Sequence, residues 1–245
     1  MKIIKYKYKG NSKYEIYTDD DKYIIYEDII IKNNLLAKET INDNEFKKLL
    51  KDNEFYDCYY NAIKYIETKM RSTKEVKEYL LKKEYESKDI NQVIKRLEEE
   101  GYINEERYAK AYIYDKINLS MDGPLKIKKY LQENNISEEI IEKELKTFTE
   151  DLIQEKLDKM ISKEIRLNKN KSSKMLYEKV SISLINKGYK REDITTVFNN
   201  YEVNDEEIYK KEYEKLYNKL KDKYQGKELE YKIKQKMYQK GFVCQ

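Results

Sequence analysis

Between Lys169 and Arg191 the 245-residue chain carries Lys169, Lys171, Lys174, Lys179, Lys187, Lys190 and Arg191 against one acidic residue, Glu178. Ammonium and guanidinium groups at that density bind polyanions, so the chemistry on offer is recognition of a phosphate backbone or an acidic protein groove. Two shorter basic features join this run: Arg71 with Lys74, beside the Ser72 cap, and Lys126, Lys128 and Lys129 around Ile127. These residues form the candidate partner-binding or nucleic-acid-binding surface. A solvated helix face is the plainer reading of each group, and it stays open here.

The residues that other chemistries need are missing. Histidine is absent, which removes the commonest general base and the commonest transition-metal ligand. Cys58 and Cys244 stand far apart with no second cysteine near either, so both read as free thiols in a reducing compartment. Carboxylates interleave with lysines on charged stretches such as "RLEEE" and look like ion-pair partners, and no pair stands out as a catalytic dyad. The expectation is a protein with no catalytic, cofactor or metal residues. No stretch approaches the roughly 20 apolar residues of a membrane span and the N-terminus has no apolar leader, so a cytoplasmic protein is expected.

The elements that must position the basic residues are mostly helices. With 39% hydrophobic and 40% charged residues, one proline and six glycines, the chain suits a helical array with a thin core and not a turn-dense β fold. Charge is uneven: residues 1–150 hold 29 basic and 31 acidic side chains, whereas 151–245 hold 22 and 16. The first 57 residues differ from the rest. Residues 2–9 alternate, Ile4, Tyr6 and Tyr8 against Lys5, Lys7 and Lys9, and "YEIYT" and "YIIY" follow across turn-forming "KGNSK" and "DDDK". That pattern predicts a small antiparallel β meander with Ile4, Tyr6 and Tyr8 on its buried side, followed by a helix from Asn42 with Phe46, Leu49 and Leu50 inward.

From about Cys58 the chain repeats. Aligned on Leu80, Leu131, Leu184 and Met237, it places Val76, Ile127, Val180 and Ile233 four residues earlier and Tyr85, Ile136, Tyr189 and Phe242 five residues later. Ile90, Ile141 and Ile194 fall at ten, Ile94, Leu145 and Phe198 at fourteen, and Leu97, Phe148 and Tyr201 at seventeen. Each unit predicts a first helix, a second with an i, i+4 apolar pair, a buried elbow and a third helix. A unit of that size buries too little alone, so an elongated, solenoid-like stack is expected, mainly all-α, with repeats at 58–104, 105–150, 151–203 and a truncated fourth at 204–245. Ser72 with Glu75, Ser137, and Asn204 with Glu207 read as helix caps, and Pro124 as a first-turn proline. Many of the 26 tyrosines, Tyr79, Tyr85, Tyr130 and Tyr189 among them, fall on core offsets of the repeat, and for those core packing is expected over nucleic-acid stacking. In "GYINEERYA", Asn104 caps the next helix while Tyr102 and Ile103 pack beneath the corner.

The phrase "RSTKEVKEYLLKKEY" followed by "INQVIKRLEEEGYINEERYAKAYI" resembles the RecX family of recombinase regulators, whose signature is a helix ending in "L…GYLDDxRFA". "GPLKIKKYLQENNISEEIIEKEL" resembles the family's second repeat and "ISLINKGYKREDITTVF" its third; residues 58–203 match well, the two ends more loosely. Asn104 and Glu105 stand where the family often has two acids, and Tyr108 where it often has Phe. The resemblance implies a non-enzymatic regulator that binds the RecA recombinase on DNA and modulates, most plainly inhibits, filament growth, ATP hydrolysis and strand exchange. A basic concave face also belongs to that expectation, and the near-neutral first 150 residues depart from it. A direct DNA-binding protein and a helical scaffold for another protein remain alternatives, and a monomer is expected.

Overall fold

The computed structural model describes residues 1–242. Three strands, β1 (Ile3–Gly10), β2 (Lys13–Thr18) and β3 (Lys22–Tyr26), form an antiparallel sheet in chain order. Helix α1 (Glu27–Lys32), a 3-10 turn at Leu35–Ala37 and α2 (Asp43–Ile66) pack against it. The shared core is Ile16, Ile25, Ile29, Ile30, Leu35, Phe46 and Leu49. The short α1 is not legible in "EDIIIK", whose β-branched run favours a strand; burial of Ile29 and Ile30 makes it a helix.

The inward face of β1 differs from the expected one. The register slips between Ile3 and Lys5, so Ile3 joins the expected Tyr6 on the core while Ile4 is 62% exposed; Tyr8, on the same side as Tyr6, is 58% exposed. One extra residue in a strand reverses the faces beyond it, which strict alternation in the sequence cannot show. The outer edge of β3 is closed by a side chain: Asn53 on α2 accepts from the Tyr26 amide at 2.8 Å and donates to the Ile24 carbonyl at 3.0 Å.

Asn42 caps α2 by accepting from the Glu45 amide at 2.8 Å. The helix then runs unbroken to Ile66, with no Gly or Pro to stop it, so the division expected after residue 57 falls inside it. At that point Asp57 accepts from the Tyr26 hydroxyl at 2.7 Å, the Tyr85 hydroxyl at 2.5 Å and Lys13 at 3.3 Å, tying the sheet to the first elbow. Burial pushes its carboxyl up, but the Tyr85, Tyr26 and Lys13 donors outweigh it and hold the pKa below the ordinary range.

The remaining helices follow in the order α3 (Thr73–Lys82) and α4 (Ser87–Glu99), which pack with α2; α5 (Glu105–Leu119), α6 (Pro124–Glu133) and α7 (Glu138–Leu145); α8 (Glu150–Leu167), α9 (Ser173–Asn186) and α10 (Arg191–Phe198); then α11 (Asp205–Leu220) and α12 (Gly226–Tyr238). The chain divides into two compact units, Met1–Tyr108 and Ala109 onward. The anchors Leu80, Leu131, Leu184 and Met237 and their i−4 partners are all buried, as are Ile136, Tyr189 and Phe242 at the elbows; Tyr85 is half-buried. Ser72 and Glu75 make both bonds of a capping box, and Ser137 and Asn204 cap α7 and α11. At the corner before α5, Ile103 is buried, but Tyr102 is 49% exposed. Both amides donate to the Leu97 carbonyl, and with Ile103 filling the space beneath the turn the Tyr102 ring is left outside. Cys58 is buried, and burial pushes its thiol up to about 12, which makes it inert; Cys244 lies outside the described residues.

Candidate interaction surface

Helix α9 organises the basic run. Lys169 and Lys171 lie in the loop before it and Lys174 in its first turn, whereas Lys187 caps its C-terminus and Lys190 and Arg191 open α10. Thirteen residues of helix separate Lys174 from Lys187, about 20 Å at 1.5 Å per residue. The run is therefore two cationic groups at opposite ends of one helix.

The two ends are held by the same device. The Gly123 amide, at the N-cap of α6, donates to the Lys187 carbonyl at 2.7 Å, and the Ser172 amide, at the N-cap of α9, donates to the Lys240 carbonyl at 3.1 Å. Each carbonyl ends the second helix of the following repeat, and each is followed by a glycine of positive φ, Gly188 (+89°) and Gly241 (+85°). A Cβ on Gly188 would stand 2.6 Å from Lys126 Cβ, and one on Gly241 would stand 2.7 Å from Met175 Cβ. Only glycine combines that backbone with that approach. The cations beside each elbow are thus placed by backbone contacts that fix one repeat on the last.

Pairing divides the sequence-predicted residues. Arg71 packs its guanidinium 4.0 Å from the centre of the Tyr65 ring and pairs with Glu75 at 3.6 Å; Lys74 pairs with Glu78 at 3.8 Å. Lys126 pairs with Asp122 at 2.7 Å, Lys129 with Glu133 at 4.0 Å, and Lys128 with Glu138 and with Glu142 at 3.5 Å. Burial raises the Asp122 carboxyl, but bonds from Lys126 and Lys116 bring it below the usual range; the bond Lys128 donates to Glu138 holds the lysine above its own. Lys179 is taken by Glu164 at 3.2 Å and Asn168 at 2.9 Å.

Lys169, Lys171, Lys174, Lys187, Lys190 and Arg191 form no ion pair among the described residues. All but the half-buried Lys171 and Lys187 are exposed. Lys169 and Lys171 line a cleft of about 590 Å³ that also holds Glu202, Glu207 and Glu212, of which Glu207 pairs with Lys211 and Glu212 with Lys215 and Lys240. Arg191 lies by the Tyr177 hydroxyl, whose pKa falls, chiefly through its 2.7 Å bond with Thr195, then through Ser181 and Arg191. The pairings at Arg71, Lys74, Lys126 and Lys129 are i, i+4 contacts that sequence spacing already contains. Those at Lys128 and Lys179 reach acids on other helices, which spacing does not reveal. Sequence reasoning also passed over Asp57 and Asn53; neither is near a recognisable motif.

Among the described residues no group of His, Cys, Asp or Glu could hold a metal ion, and no helix is long and apolar enough to cross a membrane.

Helices in threes, preceded by a small sheet and joined in the second unit through the glycine elbows at Gly188 and Gly241, define a tandem three-helix-repeat protein. Family models agree: the one described as RecX, first three-helix domain, matches residues 58–97, and RecX, second three-helix domain, matches residues 104–145. The Regulatory protein RecX of Halalkalibacterium halodurans is 31% identical, covering 96% of this chain and 92% of its own length. That of Streptococcus gordonii is 31% identical over 99% of this chain and 95% of its own. A crystal structure of regulatory protein RecX is similar with a TM-score of 0.71 at 22% identity, covering 81% of this chain and 98% of that one. RecX from Lactobacillus salivarius is similar at 0.56 and 27% identity, covering 60% of this chain and 96% of its own. The chain belongs to the RecX family of regulatory proteins.

Proposed function

We propose that this protein is a non-enzymatic regulator that binds the RecA recombinase on single-stranded DNA in the cytoplasm and restrains filament growth, ATP hydrolysis and strand exchange. The observation that supports this reading is the set of cations at the two ends of α9 that form no ion pair among the described residues. Charge that is unpaired within its own fold costs no internal ion pair when it meets a partner, and its potential steers encounter with a polyanionic filament. The family's regulatory character supports the reading, and repeats divided near residues 104, 150 and 203 would each present an outer face to a helical partner. A monomer suffices for this role.

The test is a titration of this protein into RecA hydrolysing ATP on circular single-stranded DNA. Steady-state hydrolysis is expected to fall at protein-to-RecA ratios well below one, as capping of growing ends requires. Unchanged hydrolysis at a molar excess would sink the reading.

A further inference from the structure

The outer face of the sheet carries a second set of cations, independent of α9. Strand pairing sets Lys5 opposite Tyr17 and Tyr17 opposite Lys22, with Lys7 opposite Glu15 in the next row. Residues two apart on a strand share a face, so Lys5 and Lys7 step along β1 at about 7 Å; Lys9 falls at a second register shift, between Tyr8 and Gly10, and is held to the same face by its pair with Glu15. Lys5 Nζ lies 4.3 Å and Lys22 Nζ 5.2 Å from the centre of the Tyr17 ring. The Tyr17 hydroxyl donates to Glu15 at 2.7 Å, and Lys9 pairs with Glu15 at 3.7 Å. Glu15 is the one acid within the row, and Lys5, Lys7 and Lys22 form no ion pair among the described residues. The bond from Tyr17, and then the fields of Lys9, Lys22 and Lys7, hold the Glu15 carboxyl below its ordinary range, so it stays charged and leaves a net excess of lysine. The other face is committed to the core through Tyr6, Ile16 and Ile25. The acidic turn Asp19–Asp21 closes the row at the Lys22 end, where Asp19 is already engaged by the Lys2 amide at 2.7 Å.

We propose that this sheet face binds the sugar–phosphate backbone of an extended single strand of nucleic acid laid along β1, with Lys5, Lys7 and Lys9 on successive phosphates and Lys22 flanking them. The spacing along β1 is close to that between neighbouring phosphates of an extended strand, and a straight row of point charges follows one strand better than the curved backbone of a duplex. Lysine supplies compact charge without the forked donors that favour carboxylates, and the face has no arginine. Lysine on an edge strand also deters pairing with another chain. Reversal to glutamate keeps that deterrent and removes the phosphate contacts, so it separates the two roles.

The experiment uses the full chain without RecA. A fluorescein-labelled oligothymidylate is titrated by anisotropy over a range of salt, with a duplex of equal length and unlabelled poly-glutamate in parallel. For single strands each phosphate contact contributes about 0.7 to the slope of log affinity against log salt. The K5E/K7E variant is expected to bind at least tenfold more weakly with a slope smaller by about 1.4, to melt like the parent, and to recover as K5R/K7R. An unchanged slope in K5E/K7E, a parent chain that does not bind, equal affinity for the duplex, or poly-glutamate displacing the oligonucleotide at matched charge overturns the proposal. RecA hydrolysis measured on K5E/K7E tests the regulator reading separately.

Discussion

The second and third repeats both place lysines around the second helix, yet they use them differently. In the second, Lys126, Lys128 and Lys129 each lie within ion-pair distance of Asp122, Glu138 and Glu142, or Glu133. In the third, Lys179 is the one cation on or beside α9 that is paired among the described residues, while Lys159 on α8 pairs with Glu155. Counting lysines along the chain makes the two regions look alike in kind. Pairing separates a repeat whose lysines are engaged by acids of its own helices from one in which most cations around the second helix form no ion pair among the described residues. Because exposed pairs are individually weak, the difference concerns availability more than stability.

The comparison can be strained at several points. The largest effect is expected at the elbow that sets Lys187 and Lys190. Gly188→Ala must accept a positive φ and a Cβ pressed against Lys126, and should cost about 3 kcal/mol or more, read by urea unfolding. A value under about 1 kcal/mol would mean that the repeat junction is looser than its backbone bonds indicate.

Next is Asp57, an acid that accepts from two tyrosine hydroxyls as well as a lysine, unlike the lysine–carboxylate pairs of the second repeat. Asp57→Ala leaves two tyrosine hydroxyls and Lys13 without their acceptor and should cost about 1–2 kcal/mol, a figure limited by the partial exposure of the carboxylate. Its folded pKa lies below the unfolded value near 4, so its contribution is present above that value and is lost as pH falls through the folded pKa. Stability of the parent minus that of the variant should therefore shrink on acidification, and a difference constant with pH would remove Asp57 as the cause. A smaller change comes from Glu164→Gln, which frees Lys179; binding to RecA filaments should tighten by about twofold in co-sedimentation. The least is expected from reversing Lys126, Lys128 and Lys129 together: a slight fall in melting temperature and nearly unchanged filament binding.

Much of this fold is written in local pattern. Leu80, Leu131, Leu184 and Met237 are buried where their common spacing puts them, and Ser72, Ser137 and Asn204 cap where cap chemistry predicts, because both depend on residues within one turn. Where the outcome depends on residues distant in sequence, the pattern misleads. The slip beside Ile4 puts Ile3 on the core side in its place, α1 forms where Ile29 and Ile30 find a core, and Tyr102 is displaced by its neighbour. The basic residues follow the same rule. Asp122 with Lys126 is readable at i, i+4, but Glu138 with Lys128 and Glu164 with Lys179 require the third dimension. That is why the sequence could nominate the cations but not rank them.

The central claim is that unpaired charge at the N-terminal end of α9, and not lysine content, carries the contact with the filament. Co-sedimentation with RecA assembled on single-stranded DNA should show K169E/K171E/K174E binding at least tenfold more weakly than the parent at equal thermal stability, while K126E/K128E/K129E stays within about twofold, the tenfold loss equalling about 1.4 kcal/mol. Equal losses in the two variants, or a loss confined to K126E/K128E/K129E, would contradict it.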